Sequence, residues 1–144
     1  VSVLAPTHAK SRGPSSRVAG PPLGFRLEAG GRSCWFPGDT ELRDDMREVG
    51  RVDLALVPIG GWGPTLGDGH LDPGQGAEAV ARVGADVAVP VHWGTFWPIG
   101  LRHVARANHQ RLFVTPGERF VAALATAAPA TRAVLAQPGE RLTM

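Results

Sequence analysis

Two β-rich apolar runs on either side of a helix with clear start signals constrain the fold more than any other feature. The runs are VDLALVPI (52–59), which is apolar enough for a strand covered on both faces, and the shorter VAVPVH (87–92). Between them, Asp72 supplies an N-cap, Pro73 a first helical position and Gln75 the partner of a capping box. The predicted helix then carries apolar residues at Ala77, Val80, Ala81 and Val83. A strand, a helix and a strand in this order predict an α/β layer.

The chain before residue 52 adds antiparallel strands to this layer. VSVLA (1–5) predicts a strand, and the polar, Pro/Gly/Ser-rich stretch at 7–22 predicts a long loop. FRLEA (25–29) and RSCWF (32–36) flank a pair of glycines, whose tolerance of positive φ suits a tight hairpin turn.

Weaker signals complete the predicted secondary structure. Thr40 is placed to cap a short helix, whose apolar residues are Leu42, Met46 and Val49. Thr115 and Pro116 mark the start of a later helix, and TRAVLA (131–136) predicts a final short strand.

The composition bounds the classes of protein that remain. A chain of 144 residues, 43% hydrophobic, supports one domain spanning 1–144. No apolar run approaches the roughly 18 residues of a membrane span, and the single Cys34 excludes an intrachain disulfide, so we expect a cytoplasmic protein. The net charge is only +2 and the arginines are scattered, which gives no indication of a nucleic-acid partner.

Three polar residues each follow a predicted strand, and strand ends can converge on one edge of a layered α/β domain. His8 follows the first strand, Asp39 follows the hairpin, and His92 ends the run at 87–92. Two imidazoles and a carboxylate are a partial ligand set for zinc, manganese or iron. From the residues alone, helix capping and core hydrogen bonding remain alternatives for all three.

PGDT (37–40), VDLALVPIGGWGPTLGDGHLDP (52–73) and VPVHWGTF (89–96) resemble, in this order, the second half of the metallo-β-lactamase fold superfamily. The most similar branch is that of ascorbate-6-phosphate lactonase and N-acyl-phosphatidylethanolamine phospholipase D. The resemblance implies the C-terminal half of a four-layer αβ/βα sandwich. It also implies a divalent-metal cofactor, zinc first and manganese or iron as alternatives, with two ions in the intact fold.

The same resemblance assigns roles to individual residues. It implies that His8 binds the first metal, Asp39 bridges the two metals and His92 binds the second. His70, in a glycine-rich loop, then matches a substrate contact or proton donor, with a structural hydrogen bond as the alternative. Metal-bound hydroxide is expected to attack an ester, lactone or phosphodiester of a small-molecule substrate.

Further residues around this site have competing interpretations. Trp62, Trp93 and Thr95 are candidates for the substrate pocket, although aromatic residues at strand ends often serve only packing. His103 and His109 lie in an Arg-rich polar stretch and are expected on the solvated surface.

The family's HxHxDH motif, which supplies further ligands to both metals, does not occur in these 144 residues. A chain without the other half of the sandwich should expose an apolar sheet face. The simplest expectation is that the chain is the C-terminal part of a larger hydrolase; a second is a half-domain that pairs with a complementing N-terminal half or with itself as a homo-oligomer. The alternative function is a non-catalytic half-domain, acting as an interaction module or surviving as a truncated remnant.

Overall fold

A mixed sheet of six strands organises the protein. The computed structural model describes residues 2–4, 10–11, 19–20, 23–61 and 65–143. The strands are β1 (Ser2–Leu4), β2 (Lys10–Ser11), β3 (Ala19–Gly20), β4 (Gly24–Ala29), β5 (Arg32–Phe36), β6 (Val52–Pro58), β7 (Ala85–Val91) and β8 (Arg132–Ala133). The helices are α1 (Pro73–Val83), α2 (Leu101–Val104), α3 (Arg106–His109) and α4 (Pro116–Ala127), with a 3₁₀ helix at Asp44–Val49 and a π-helical turn at Gln110–Val114.

The sheet order β1-β4-β5-β6-β7-β8 divides into two parts. β1, β4 and β5 pair antiparallel, whereas β5, β6, β7 and β8 pair parallel. The prediction of an α/β layer with antiparallel strands at its start is therefore confirmed. β2 and β3 form a separate two-stranded sheet, so the stretch at 7–22 is not the strand-free loop that its composition predicts.

The predicted hairpin and the first long helix are both present. Gly30 and Gly31 join β4 to β5 with φ of 58° and 74°, the region that glycine adopts without a Cβ penalty. At the start of α1, the Asp72 side chain accepts from the Gln75 amide while the Gln75 side chain accepts from the Asp72 amide. This capping box fixes the first turn of α1 at one end of β6.

One helix-start prediction is wrong, and the other is confirmed without the expected side-chain cap. The 3₁₀ helix begins at Asp44, preceded by Arg43, and the Thr40 hydroxyl donates to the Glu41 carbonyl instead of capping it. α4 does begin at Pro116, but the Thr115 hydroxyl donates back to the Gln110 carbonyl. Side-chain bonding to nearby backbone competes with capping for both threonines. The final strand is also shorter than the run at 131–136.

The two faces of the sheet have different environments. One cross-strand row, Trp35, Ala55 and Ala88, is buried and belongs to the same core as residues of α1 and α4. The opposite face carries the row Leu27, Cys34, Leu54 and Val87, in which Leu27 is 42% exposed. We call this second surface the open face. The other three residues of the row are half-buried, and Leu54 and Val87 line one cavity with Leu142 and Thr143 of the C-terminal segment.

Polar contacts join β5 to β6 beside the core. The Asp53 carboxylate accepts from the Ser33 hydroxyl, the Ser33 amide and the Arg32 guanidinium at 2.8, 2.8 and 3.0 Å. These hydrogen bonds lower the pKa of Asp53 to about 2. Partial burial raises the pKa of the Cys34 thiol, which favours an unreactive side chain. Among the described residues, none of the helices has the length and apolar character needed to cross a membrane.

Candidate metal centre

The candidate site lies where the parallel strands end. β5, β6 and β7 run in the same direction, so their carboxyl ends lie along one edge of the sheet. β1 runs in that direction too, because two antiparallel pairings separate it from β5. Asp39 follows β5 and His92 follows β7, whereas His8 lies outside the described residues, beyond the end of β1.

A tight turn places Asp39 beyond β5. Gly38 has a φ of 66°, and a Cβ on it would lie 2.6 Å from the Leu23 carbonyl oxygen. Glycine is required at this position because backbone conformation and backbone contact both oppose a side chain. The turn leaves Asp39 exposed at the sheet edge.

His92 occupies a conformation that few residues with a side chain adopt. Its φ is 61°, the one positive value for a non-glycine in the described parts of the chain. Gly60, which follows β6, accommodates this turn: a Cβ there would lie 2.8 Å from the His92 carbonyl oxygen. A strained residue with a polar side chain at a sheet edge indicates a functional position.

His70 enters the same place from the loop before α1. The strand β6 and the helix α1 form a crossover, so the start of α1 returns to the carboxyl edge of the sheet. A Cβ on Gly61 would lie 3.0 Å from His70 Cδ2, which shows that the ring packs directly on the glycine backbone. His70 Nδ1 lies 3.3 Å from the Gly67 carbonyl oxygen.

Asp39, His70 and His92 therefore form one cluster. Each offers a ligand atom, and these atoms all lie within 4.8 Å of one another. The shortest measured contact joins His92 Nε2 and Asp39 Oδ1 at 3.2 Å, with the two side chains 42% and 60% exposed. Two imidazoles and a carboxylate with open access suit a zinc, iron or manganese ion that also binds water or substrate.

Two of the predicted pocket residues lie beside this cluster, and Trp62 falls outside the described residues. The Trp93 indole packs against the core and the start of α4, where a Cβ on Gly117 would lie 2.7 Å from Trp93 Cζ2. This contact anchors the strained turn at His92. Thr95 is exposed, and its hydroxyl lies 3.5 Å from the Trp93 carbonyl. The roles of all three in a substrate pocket stay predictions.

The two other histidines differ in environment. His103 is exposed and its Nε2 accepts from Arg102, as expected for a surface residue. His109 is half-buried, which its polar sequence context did not predict. Its ring stacks on Phe113 and meets Trp97 edge to face, each at a centroid distance of 5.0 Å. An aromatic cluster formed across short helical turns has no clear sequence signature.

Sequence reasoning also missed the part played by Gly60 and Gly61. Two consecutive glycines directly after a buried strand indicate close backbone approach, and that signal was present in the sequence. The position of His70 two residues before a capped helix start likewise indicated the sheet edge.

The chain is similar to a known family and to known proteins. A family model described as beta-lactamase superfamily domain matches residues 1–93. A UPF0173 metal-dependent hydrolase of Deinococcus radiodurans is 34% identical over 118 residues, covering 81% of this chain and 46% of that protein. Another UPF0173 metal-dependent hydrolase, from Alkaliphilus metalliredigens, is 40% identical over 79 residues, covering 54% of this chain and 33% of that protein.

The fold is also similar to a solved structure. Igni18, a metallo hydrolase from the archaeon Ignicoccus hospitalis, superposes with a TM-score of 0.63 at 25% identity, over 96% of this chain and 50% of that one. The chain thus spans between a third and a half of the length of these relatives. Because the family model covers well over half of the chain, the protein belongs to the metallo-β-lactamase superfamily.

Proposed function

We propose that this chain forms part of a metal-dependent hydrolase that cleaves an ester, lactone or phosphodiester bond in a small molecule. The observation that carries the proposal is the convergence of Asp39, His70 and His92 at the carboxyl edge of the sheet. Similarity to proteins described as metal-dependent hydrolases supports the same reaction class.

The proposed ligands are His8, Asp39 and His92. Asp39 and His92 already stand within hydrogen-bond distance, and the direction of β1 brings the chain towards the same edge before His8. A bound divalent ion, which we take to be zinc, supplies Lewis acidity and lowers the pKa of a water molecule to near 7. His70 stands at the same point, where it can either donate a proton to a leaving group or bind the ion.

The arrangement of these residues fits attack at a polar, hydrolysable bond. The Asp39 carboxylate and the His92 imidazole are exposed and His70 is half-buried, so a substrate can reach the cluster from solvent. Trp93 holds the His92 turn in place through its contact with Gly117. Similarity to the ascorbate-6-phosphate lactonase and N-acyl-phosphatidylethanolamine phospholipase D branch supports the lactone and phosphodiester candidates.

The open face is a candidate binding surface for a second polypeptide that takes part in this function. Leu27 and Phe36 are exposed on a sheet whose other face is packed with helices. An N-terminal half that supplies HxHxDH would cover this face and add ligands, and a second copy of the chain is the other candidate. The lone Cys34, with a raised thiol pKa, is compatible with the reducing cytoplasm that we propose as its location.

A second candidate function is a non-catalytic interaction module. The open face and the lack of any HxH sequence favour it. Metal dependence separates the two functions, because an interaction module needs no hydrolytic turnover.

The test is a hydrolysis screen on p-nitrophenyl esters, lactones and bis-p-nitrophenyl phosphate. The zinc-loaded chain is assayed alone and with the N-terminal half of a relative added in trans. We expect turnover that a chelator abolishes and that Asp39→Asn reduces by at least about 100-fold, whereas His103→Gln retains it. Binding of the added half without any turnover would favour the interaction module.

A further inference from the structure

We infer that His70 is a third metal ligand, so that Asp39, His70 and His92 hold one divalent ion using residues of this chain alone. The inference rests on the proposed function and changes one part of it. Two protein ligands per ion are too few for a firm zinc site, whereas three with an open position are the usual catalytic set.

The spacing of the ligand atoms is the first argument. Zinc–nitrogen and zinc–oxygen distances of about 2.0–2.1 Å place neighbouring ligand atoms about 3.4 Å apart in a tetrahedral site. His92 Nε2 and Asp39 Oδ1 are 3.2 Å apart, close to that value. No pair in the cluster exceeds 4.8 Å, so small side-chain shifts bring all three ligand atoms within reach of one ion.

The hydrogen bond of His70 is the second argument. A carbonyl oxygen can only accept, so the contact with Gly67 requires the proton on His70 Nδ1. In a neutral ring this leaves the lone pair on Nε2. Metal-binding histidines characteristically donate their other nitrogen to a carbonyl or carboxylate, which orients the ring towards the ion.

The support beneath the two rings is the third argument. Gly60 contacts the His92 backbone and Gly61 contacts the His70 ring, so two consecutive residues set the separation of both histidines. The ring centroids are 6.2 Å apart with an angle of 27° between planes, which leaves space between them. A solvent-exposed proton donor would not need a position fixed by such close backbone contacts.

The experiment measures metal binding directly, using Zn²⁺ and Co²⁺ with the full chain. Calorimetry compares the wild type with His70→Gln, Asp39→Asn and the control His103→Gln, which removes an exposed histidine outside the cluster. We expect one ion per wild-type chain. His70→Gln should bind the ion at least about 10-fold more weakly, because loss of a residue that only hydrogen-bonds a metal ligand already lowers metal affinity by that factor. His103→Gln should bind as the wild type does.

A second variant keeps the test valid if His70→Gln unfolds. In His70→Cys, a thiolate ligand would give Co²⁺ a near-ultraviolet charge-transfer band, which His103→Cys should lack. Full-affinity binding by a folded His70→Gln, with loss only in Asp39→Asn, would overturn the inference and leave the proposed function intact. Absence of metal binding by the wild-type chain would also overturn the inference, whereas the proposed function is tested separately by the hydrolysis screen with the N-terminal half added.

Discussion

At the scale of single residues, the site depends on positions where the backbone leaves no room for a side chain. His92 turns through positive φ, and Gly38 and Gly60 lie against backbone carbonyls that a Cβ would contact. The strain at His92 costs on the order of 1–3 kcal/mol, which packing of Trp93 on Gly117 offsets. Folding energy is thus used to hold one imidazole in place.

Gly61 offers a direct test of this arrangement. In Gly61→Ala the added methyl lies 3.0 Å from His70 Cδ2, so the ring must shift from its present position. We expect zinc affinity to fall by a few fold to about 10-fold, with little change in the thermal unfolding midpoint. Gly74→Ala is the matched control, because Gly74 is exposed in the first turn of α1 and does not contact the cluster. Equal affinity in both variants would show that the ring is not seated on Gly61.

The lowered pKa of Asp53 predicts how the stability of the folded protein responds to acid. Its pKa is about 2 in the folded protein and 3.8 as the reference value, so the folded state binds fewer protons between these pH values. The stabilisation is complete above pH 3.8 and is lost as the pH falls towards 2. Thermal unfolding from pH 5 to 2 should therefore show a shallower decline for Asp53→Asn than for the wild type. Parallel declines would exclude Asp53 as a source of the pH dependence.

Some residues of the cluster can be identified from the sequence more directly than others. Asp39 and His92 were identifiable because each directly follows a strand of a parallel group. The resemblance implies a substrate-side role for His70, and its distance from the other two residues depends on how a glycine-rich loop folds back over the sheet edge. That distance is a tertiary property, and no local propensity encodes it.

At the scale of secondary structure, the contact between α1 and the sheet leaves no room for a side chain at Gly76. A Cβ on Gly76 would lie 2.7 Å from Ile59 Cγ2 and 3.5 Å from the Phe120 ring. Ile59 and Phe120 are both buried, so neither can move far. A glycine in mid-helix is therefore needed for packing, against its low helix propensity.

Gly76→Ala should destabilise the protein despite the better propensity of alanine. Overpacking costs about 1–3 kcal/mol and the better helix propensity of alanine offsets about 1 kcal/mol, so we expect a net loss of up to about 2 kcal/mol in urea unfolding. Gly74→Ala, on the exposed side of the same helix, should change stability by less than about 1 kcal/mol. A stabilised Gly76→Ala would contradict this packing.

Elements with strong local signals were predictable and the others were not. The capping box of α1 and the glycine turn of the β4–β5 hairpin combine start or turn chemistry with clear apolar patterns. The 3₁₀ helix and the short turns at 101–114 lack this combination of start signals and apolar pattern. Their form depends on tertiary contacts such as that between His109 and Phe113. The type of these long elements and the start of α4 at Pro116 therefore followed from the sequence, whereas the helix start at Thr40 did not.

At the scale of the whole molecule, the open face governs how the chain behaves in solution. Its row of Leu27, Cys34, Leu54 and Val87 crosses four strands. Apolar surface of this extent favours association. The chain should self-associate when no N-terminal half is present.

Sedimentation velocity tests this expectation. Leu27→Lys places a charge on the open face and should shift the chain towards monomer. Val104→Lys is the control, because Val104 is 85% exposed in α2, outside the sheet. A monomeric wild type, or an equal effect of both substitutions, would show that the open face does not drive association.

We propose above that this chain carries a metal centre at the carboxyl edge of its sheet. The most direct measurement is the metal content per chain after dialysis, by elemental mass spectrometry, for the wild type and for His92→Ala. We expect about one divalent ion per wild-type chain and loss of that ion in His92→Ala. Metal near zero in both proteins, or equal metal in both, would contradict it.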